Sequence, residues 1–242
     1  MHQVHMILQG KGGVGKSLIA TLLAQCLLEK TEGRGPGLID TDPLNATFHG
    51  YQGLEVEHLQ LLDENNKIIE RRFDAMMERI LTEDRDFVVD NGSPSFLPVT
   101  SYLIENDVPS MIAEAGKQLV VHTIVTGGAN LIDNIASFAD LVKQMPHEAR
   151  IIVWENSYFG PVEAQGKRFQ EMAAFLNNRE RIHGLIQLER HESDTYREDL
   201  ELLFKSKLTF EEALSSDLFG VMPRQRLKNV RNKWFERIRK VL

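Results

Sequence analysis

A glycine-rich segment near the start of the chain, GKGGVGKS, constrains the fold more than any other feature. It spans residues 10–17, follows a short apolar run at 4–8, and precedes a largely apolar stretch at 18–30. Glycines allow successive backbone N–H groups to surround an anion, and a helix that starts directly afterwards adds its positive end. The sequence therefore predicts a phosphate-binding loop between a buried strand and a helix.

The segment satisfies the complete GxxxxGK[ST] spacing of a nucleotide-phosphate loop. In that motif Lys16 contacts the β- and γ-phosphates, and the Ser17 hydroxyl binds Mg²⁺. The same letters satisfy GxGxxG, a dinucleotide motif, but that motif requires no Lys–Ser pair and expects an acid about 20 residues later. The next acid at a predicted strand end is Asp40. We favour the phosphate loop, whose predicted nucleotide contacts are Gly10, Lys11, Gly12, Gly13, Val14, Gly15, Lys16, Ser17 and Leu18.

Short apolar runs alternate with helical patterns along the rest of the chain. This alternation predicts a three-layer α/β fold, with a mostly parallel sheet and helices on both faces. The predicted strands are residues 4–8, 37–39, 87–89, 119–125, 151–154 and 184–188, with a further one at 56–62. The predicted helices are residues 18–30, 69–81, 100–116, 131–144, 162–177, 195–205 and 210–215. Thr209 and Glu212 have capping-box spacing at the last helix. A chain of 242 residues is expected to form a single domain, residues 1–242.

Two acidic segments follow predicted strands. GLIDTDP ends one strand at Asp40 and places Asp42 before a proline, and FVVDNGS ends another at Asp90. An isolated Asp at a strand end commonly forms a turn. In open α/β sheets, however, ligands bind at the carboxyl ends of the strands, where a carboxylate can hold Mg²⁺ through a water. We therefore predict Ser17, Asp40 and Asp90 as magnesium residues.

Lys11 is a second lysine that the minimal motif does not require. With it, residues 11–17 resemble the deviant Walker A motif, KGGxGK[ST], of the ParA/MinD partitioning ATPases, a family of P-loop NTPases. The resemblance implies that two ATP-bound subunits form a homodimer in which Lys11 contacts phosphates bound by the other subunit. A solvated loop lysine is the alternative interpretation.

Other motifs extend this resemblance. The acidic first switch of the family, DxDP, matches residues 40–43, and this match implies that Asp42 orients the attacking water. Asp90 matches the acid of the second switch, where the family often continues with threonine and prolines and this chain has DNGSPS. Asn156 falls where the family uses an asparagine to hydrogen-bond adenine, with a loop Asn as the alternative. The implied catalytic residues of a slow ATPase, which converts ATP to ADP and phosphate, are Lys11, Lys16 and Asp42.

Five segments spread over nearly the whole chain resemble one branch of the family, the TraL-type conjugal-transfer proteins of broad-host-range plasmids. They are LQGKGGVGKS, IDTDPLNATFHGY, VVDNGSPSF, HTIVTGG and RQRLKNVR. The resemblance implies a nucleotide-dependent dimerisation switch in plasmid conjugal transfer, with ATP/ADP and Mg²⁺ as cofactors and a protein of the conjugation machinery as partner. Two alternatives stay open, namely a non-hydrolysing nucleotide-binding scaffold and a P-loop kinase acting on a small molecule.

The end of the chain has a different charge from the rest. The chain carries a net charge of −7, yet residues 224–240 hold eight Lys and Arg residues and a single acid, Glu236. This balance excludes a uniformly basic nucleic-acid protein. An apolar stripe with helical spacing predicts a basic amphipathic helix at about 224–242; the stripe consists of Leu227, Val230, Trp234, Ile238 and Val241. Three interpretations stay open: the stripe docks on the core, the basic face contacts DNA, or the helix lies on an anionic membrane.

The remaining features are less specific. No apolar stretch approaches about 18 residues, so we expect a cytoplasmic protein, with a peripheral inner-membrane position if the last helix binds lipid. Cys26 lies on the apolar pattern of the first helix and is expected to be a buried thiol. Residues 158–160 either line the base or a partner surface, or pack as an ordinary loop.

Overall fold

The computed structural model describes residues 1–30 and 34–242. Its strands are β1 (Gln3–Ile7), β2 (Gly37–Asp40), β3 (Val56–His58), β4 (Phe87–Asp90), β5 (Gln118–Thr126), β6 (Arg150–Asn156), β7 (Glu163–Ala164), β8 (Lys167–Arg168) and β9 (Ile182–Leu188). The helices are α1 (Lys16–Leu28), α2 (Arg72–Thr82), α3 (Phe96–Glu105), α4 (Val108–Glu114), α5 (Leu131–Gln144), α6 (Ala173–Leu176), α7 (Asp194–Lys205), α8 (Phe210–Ser215) and α9 (Val221–Val241). Short 3-10 turns lie at Gly128–Asn130, Phe169–Glu171 and Arg179–Arg181.

A seven-stranded sheet organises the fold, in the order β3-β2-β4-β1-β5-β6-β9. Every neighbouring pair in it is parallel. The carboxyl ends of all these strands therefore lie at one edge, and the loop after the central β1 opens between β4 and β5. This is the position at which doubly wound sheets bind ligands.

Both faces of the sheet are covered, and this confirms the predicted three-layer α/β fold. Apolar side chains alternate along the strands: Val88 and Ile152 face the cluster that contains α1 and α9, whereas Val89 and Val153 face the cluster that contains α2, α3 and α5. Burial on both faces explains why the strands appear in the sequence as nearly continuous apolar runs. Cys26 is buried in the first cluster, as expected.

Most predicted elements differ from the structure only at their ends, and two differ more. The predicted helix 100–116 is two helices, α3 and α4, because Asp107 adopts a left-handed conformation (φ 49°) between them. The predicted helix 162–177 is wrong: β7 and β8 form an antiparallel hairpin there, followed by a 3-10 turn and the short α6. Gln165 and Gly166 are both left-handed at its tip (φ 52° and 73°), which suits a two-residue hairpin turn. The further strand predicted at 56–62 is confined to β3, and the capping box of Thr209 and Glu212 is present.

The apolar stripe of α9 packs on the core. Leu227, Val230, Trp234 and Ile238 are at most 4% exposed, and Val241 packs against the same cluster. The neighbours of α9 are α1, α7, α8 and β9. The structure thus favours docking among the three interpretations of this helix. No helix in the described part of the chain is both long and apolar enough to cross a membrane.

The basic face of α9 is largely paired with acids of the same chain. Within the described residues, seven of its eight Lys and Arg side chains form ion pairs: Arg224 with Asp217, Arg226 with Asp199, Arg231 and Arg239 with Glu29, Lys233 and Arg237 with Glu189, and Lys240 with Glu236. The pairing reduces the positive charge that α9 offers to a nucleic acid or an anionic membrane.

Three buried polar rings form a chain inside the sheet, on the face covered by α1. Trp154 Nε1 donates to His122 Nδ1 at 2.9 Å, and His122 Nε2 lies 2.9 Å from His5 Nδ1. Since the indole N–H is only a donor, His122 must carry its proton on Nε2 and donate it to His5. His5 then carries its own proton on Nε2, which is buried and has no partner within the described residues.

Candidate nucleotide-phosphate site

The loop of residues 10–17 lies between β1 and α1, and α1 begins at Lys16. Gly13 and Gly15 have positive φ angles of 74° and 102°, in the region that side chains strongly disfavour. A Cβ at Gly15 would also stand 2.9 Å from Asn156 Nδ2. These two glycines therefore allow a backbone path that ends with the N-terminal N–H groups of α1 facing the loop.

Lys16 is buried, with 7% of its surface exposed, and its ammonium group faces the loop. Nζ donates to the Lys11 carbonyl oxygen at 2.8 Å and to Ser93 Oγ at 2.6 Å. Burial lowers the pKa of Lys16, whereas the nearby carboxylates of Asp90 and Asp42 oppose the shift. The structure thus supplies a desolvated cation among loop backbone groups, an arrangement suited to a phosphate.

Asp90, the last residue of β4, is 1% exposed. Neither carboxylate oxygen has a hydrogen-bond partner of good geometry within the described residues. Burial raises the pKa of Asp90 to about 7, and the nearby Asp40 carboxylate adds to the shift; the Ser17 hydroxyl and the Lys16 ammonium oppose it. A buried carboxylate whose oxygens lack well-formed hydrogen bonds fits a hard cation such as Mg²⁺, which prefers oxygen ligands. Ser17 and Asp90, two of the three predicted magnesium residues, would hold it.

Asp40, the last residue of β2 and the third predicted magnesium residue, has a backbone hydrogen bond to each carboxylate oxygen. Its Oδ1 accepts the N–H of Asp42 and its Oδ2 accepts the N–H of His49, both at 2.9 Å. Burial raises the pKa of Asp40, and these two backbone hydrogen bonds oppose the shift. Both oxygens are therefore used to hold residues 40–49 in place.

Asp42 stabilises a turn within the same segment. Its Oδ1 accepts the N–H groups of Leu44 and Asn45 at 2.9 and 3.0 Å, the Asx-turn arrangement. Gly92 packs directly against it, so that a Cβ at Gly92 would stand 2.6 Å from Asp42 Cγ. The segments that follow β2 and β4 are thus in contact beside the loop.

Asn156, the last residue of β6, is 4% exposed and connects the loop to a cavity. Its Nδ2 donates to the Val14 carbonyl at 2.9 Å, and its Oδ1 accepts the N–H of Tyr158 at 3.1 Å. Asn156 therefore supports the phosphate loop directly, a role that its sequence position did not indicate. It also lines the cavity, where the expected adenine contact would lie.

This open cavity of about 440 Å³ extends from the loop along a mostly apolar wall. The wall includes Gly13, Gly15, Leu18, Tyr158, Phe159, Leu188, His191, Phe204 and Trp234. Tyr158 and Phe159, for which both a lining and a packing role were open, lie in this wall at 50% and 53% exposure. The contributions of β9, α7 and α9 were missed, because no local pattern indicates that their side chains meet. The size and the aromatic lining suit a flat heterocycle.

Gly127, the residue after β5, allows the segment that contains Tyr158 to lie close to the end of β5. A Cβ at Gly127 would stand 2.3 Å from the Pro161 carbonyl oxygen, and one at Gly128 would stand 3.2 Å from that of Phe159. The glycine pair therefore positions the rim of the cavity.

The Lys11 side chain is partly exposed, whereas the Lys16 side chain is buried. Its Nζ is 3.2 Å from Asp133 Oδ2 in the first turn of α5, and the two side chains are 40% and 68% exposed. Exposed pairs of this kind contribute little to stability, so Lys11 can exchange Asp133 for another anion at small cost.

Comparisons with known proteins agree with this geometry. The family described as the CobQ/CobB/MinD/ParA nucleotide binding domain matches residues 5–227. Two Escherichia coli proteins named Protein TraL are 45% and 44% identical over 238 residues, which cover 98% of this chain and 98% of each relative. A solved structure from Borrelia burgdorferi, of a protein assigned to plasmid partition and bound to AMPPNP, has a TM-score of 0.50 at 15% identity. That match covers 96% of this chain and 99% of the other. By its sequence and its fold, this chain belongs to the CobQ/CobB/MinD/ParA family of nucleotide-binding domains.

Proposed function

We propose that this protein is a Mg²⁺-dependent ATPase that acts as a nucleotide-dependent dimerisation switch in plasmid conjugal transfer. The observation that carries the proposal is the buried Asp90 carboxylate, without a hydrogen-bond partner in the described residues, beside Ser17 and the Lys16 ammonium. A carboxylate in such a place is costly to the fold unless a bound cation uses it. The site is therefore best explained by a metal–nucleotide complex.

The chain offers one region for each part of ATP. The loop N–H groups and Lys16 would hold the phosphates, and the cavity beside Asn156 and Tyr158 would receive the base. The protein of this fold that is bound to AMPPNP supports a nucleoside triphosphate as the ligand.

Hydrolysis would depend mainly on positioning and charge. Bound Mg²⁺ would neutralise charge that develops on the phosphate oxygens. Lys16 would add a fixed positive charge, and Asp42 would orient the attacking water from the segment after β2. Asp40 would serve by holding that segment, since both its oxygens accept backbone N–H groups.

A second copy of the chain is the proposed partner of the open face. Three apolar side chains on separate segments around the loop are strongly exposed: Leu44 at 68%, Leu97 at 67% and Ile132 at 69%. Lys11 pairs with Asp133, the residue that follows Ile132 in α5. Closure of two such faces would bury these side chains and bring each Lys11 to the phosphates of the other subunit.

The link to conjugation rests on the relatives named Protein TraL, which match nearly the whole chain at 45% and 44% identity. On this basis we propose that the dimer changes its affinity for a protein of the conjugation machinery. Because phosphate release would end the dimer, slow hydrolysis would limit the time for which that partner is held.

Sedimentation with phosphate release measured in the same samples tests the proposal. Wild type, Lys11→Ala and the exposed control Lys67→Ala are compared with Mg²⁺ alone, with ADP and with ATP. We expect an ATP-dependent dimer with slow phosphate release for wild type and Lys67→Ala, and a monomer that still binds ATP for Lys11→Ala. If wild type binds ATP yet stays monomeric and releases no phosphate, the switch is refuted and the scaffold function replaces it.

A further inference from the structure

Residues 157–160, directly after β6, form a turn with an aromatic tip, which we call the aromatic turn. The N–H of Gly160 donates to the Ser157 carbonyl at 3.0 Å, so that Tyr158 and Phe159 are the two central residues. Gly160 has a φ of 122°, which a residue with a side chain would rarely adopt. The two rings contact each other edge to face, with 5.0 Å between their centroids. The turn therefore presents both rings together at the rim of the cavity.

The backbone of the aromatic turn is fixed on the side of the sheet. The N–H of Ser157 donates to the Leu188 carbonyl of β9 at 3.0 Å. Behind the turn, a Cβ at Gly127 would stand 2.5 Å from the Gly160 carbonyl oxygen. The backbone therefore has no room to move toward β5, and the two rings stay beside the cavity.

The tip of the aromatic turn reaches helix α7. The Tyr158 hydroxyl lies 3.5 Å from Glu201 Oε1, and both residues line the cavity and are exposed to solvent. The contact therefore lies at the open side of the cavity, between the loop after β6 and α7. Its length exceeds the roughly 2.5–3.0 Å that is usual for a hydrogen bond between two oxygen atoms. A small movement of the two elements toward each other would give a bond of normal length.

A base in the cavity would lie next to this contact. Gly13 and Gly15 of the phosphate loop belong to the cavity wall, so a nucleotide whose phosphates bind the loop can place its base between the same walls. A phenol O–H that donates to an ionised carboxylate forms a charge-assisted hydrogen bond, which is stronger than a neutral one. Such a bond across the open side must break before the base can leave.

We propose that the aromatic turn closes over a bound base, and that the hydrogen bond from Tyr158 to Glu201 then sets the rate at which the nucleotide leaves. This inference rests on the proposed function, because it requires the base to occupy the cavity. It requires neither hydrolysis nor a dimer, since it concerns release of nucleotide from a single chain.

Stopped-flow fluorescence of mant-ADP measures this rate, with the whole chain, Mg²⁺ and an excess of unlabelled ADP. Tyr158→Phe removes only the hydroxyl, Glu201→Ala removes the carboxylate, and the double variant removes both. Glu198→Ala is the matched control, because Glu198 is an exposed acid of the same helix outside the described lining of the cavity. Tripolyphosphate, which has no base, serves as a competitor that reports on the phosphate loop separately.

We expect each single substitution to raise the dissociation rate of mant-ADP by about fivefold, the effect of one hydrogen bond, with little change in the association rate. The double variant should show the same increase as either single variant, because all three lack the same contact. Glu198→Ala should keep the wild-type rate, and the affinity for tripolyphosphate should be the same in every variant.

An unchanged dissociation rate in Tyr158→Phe would overturn the inference. Increases that multiply in the double variant would also overturn it, because the two side chains would then act independently. A parallel loss of affinity for tripolyphosphate would do the same, since the substitutions would then disturb the phosphate loop. If wild type binds neither mant-ADP nor AMPPNP, the proposed function itself fails.

Discussion

Acid should destabilise this protein through the two histidines inside the sheet. His5 and His122 are fully buried, and the hydrogen-bond chain from Trp154 requires both rings to be neutral. A further proton on His5 Nδ1 would face the N–H of His122, and one on His122 Nδ1 would face the indole N–H. The folded protein therefore resists protonation that the unfolded chain accepts freely.

The size of the effect follows from the pKa values. Burial lowers the pKa of His5 from 6.5 to about 4 and lowers that of His122 well below 6.5. The unfolded chain therefore binds more protons between these values, and stability falls as the pH decreases from about 6.5 toward 4. For His5 the complete loss is about 3 kcal/mol, of which about 2 kcal/mol is lost between about pH 7.5 and pH 5. The lowered pKa of the buried His122 acts in the same direction over that interval.

Urea unfolding followed by tryptophan fluorescence measures this loss at several pH values. His5→Met, which cannot be protonated, should show a pH-dependent loss about 2 kcal/mol smaller than wild type, whatever its stability at neutral pH. The exposed His147→Gln serves as the control and should keep the wild-type pH dependence. Titrating groups outside the histidine pair, including Asp90, are common to all three proteins and cancel in the comparison. Identical pH dependence of wild type and His5→Met would refute the argument.

Three further predictions concern the site and the core. Asp90→Asn should raise the unfolding temperature of the ligand-free protein at about pH 8, where the Asp90 carboxylate, with its pKa of about 7, is charged. The increase should be smaller at lower pH, because the folded wild type then protonates Asp90. The variant should also lose its stabilisation by Mg²⁺ and ATP, and a retained Mg²⁺ effect would contradict the metal site. Gly15→Ala should lower the free energy of unfolding in urea by about 1–2 kcal/mol, because Gly15 has a φ of 102° and lies close to Asn156. The variant should also bind ATP more weakly. An unchanged free energy of unfolding would mean that the loop can adopt a different backbone conformation. Ile238→Ala, at a fully buried position of α9, should lower the free energy of unfolding by about 2–5 kcal/mol. The control Lys228→Ala, at an exposed position, should change it by no more than about 0.5 kcal/mol. Equal effects of the two substitutions would show that α9 is not docked on the core in solution.

The sequence was most informative where structure depends on local spacing. The loop of residues 10–17 contains its own glycines, cation and hydroxyl, and α5 and α8 have the bounds that their patterns predict. Local spacing failed at 162–177, although Val162, Phe169 and Phe175 of that segment are all buried. The left-handed Gln165 and Gly166 form a hairpin there instead.

In the candidate site, too, the sequence predicted where residues lie but not what they contact. Parallel strands bring their carboxyl ends to one edge, so that Asp40, Asp90 and Asn156 could be assigned to one region from their positions after apolar runs. Their contacts could not be predicted in this way. Asp40 uses both oxygens on backbone N–H groups, and the amide group of Asn156 supports Val14.

The sequence by itself determined the fold class, the phosphate loop and the edge of the sheet at which the acidic residues meet, because each depends on residues that are close along the chain. Only the tertiary structure decided that Ser93 contacts Lys16 and that Leu188, Phe204 and Trp234 share a cavity. It also decided that the basic face of α9 is paired with acids as distant as Glu29. These contacts join residues far apart in sequence, and packing against the sheet, rather than any local pattern, brings them together.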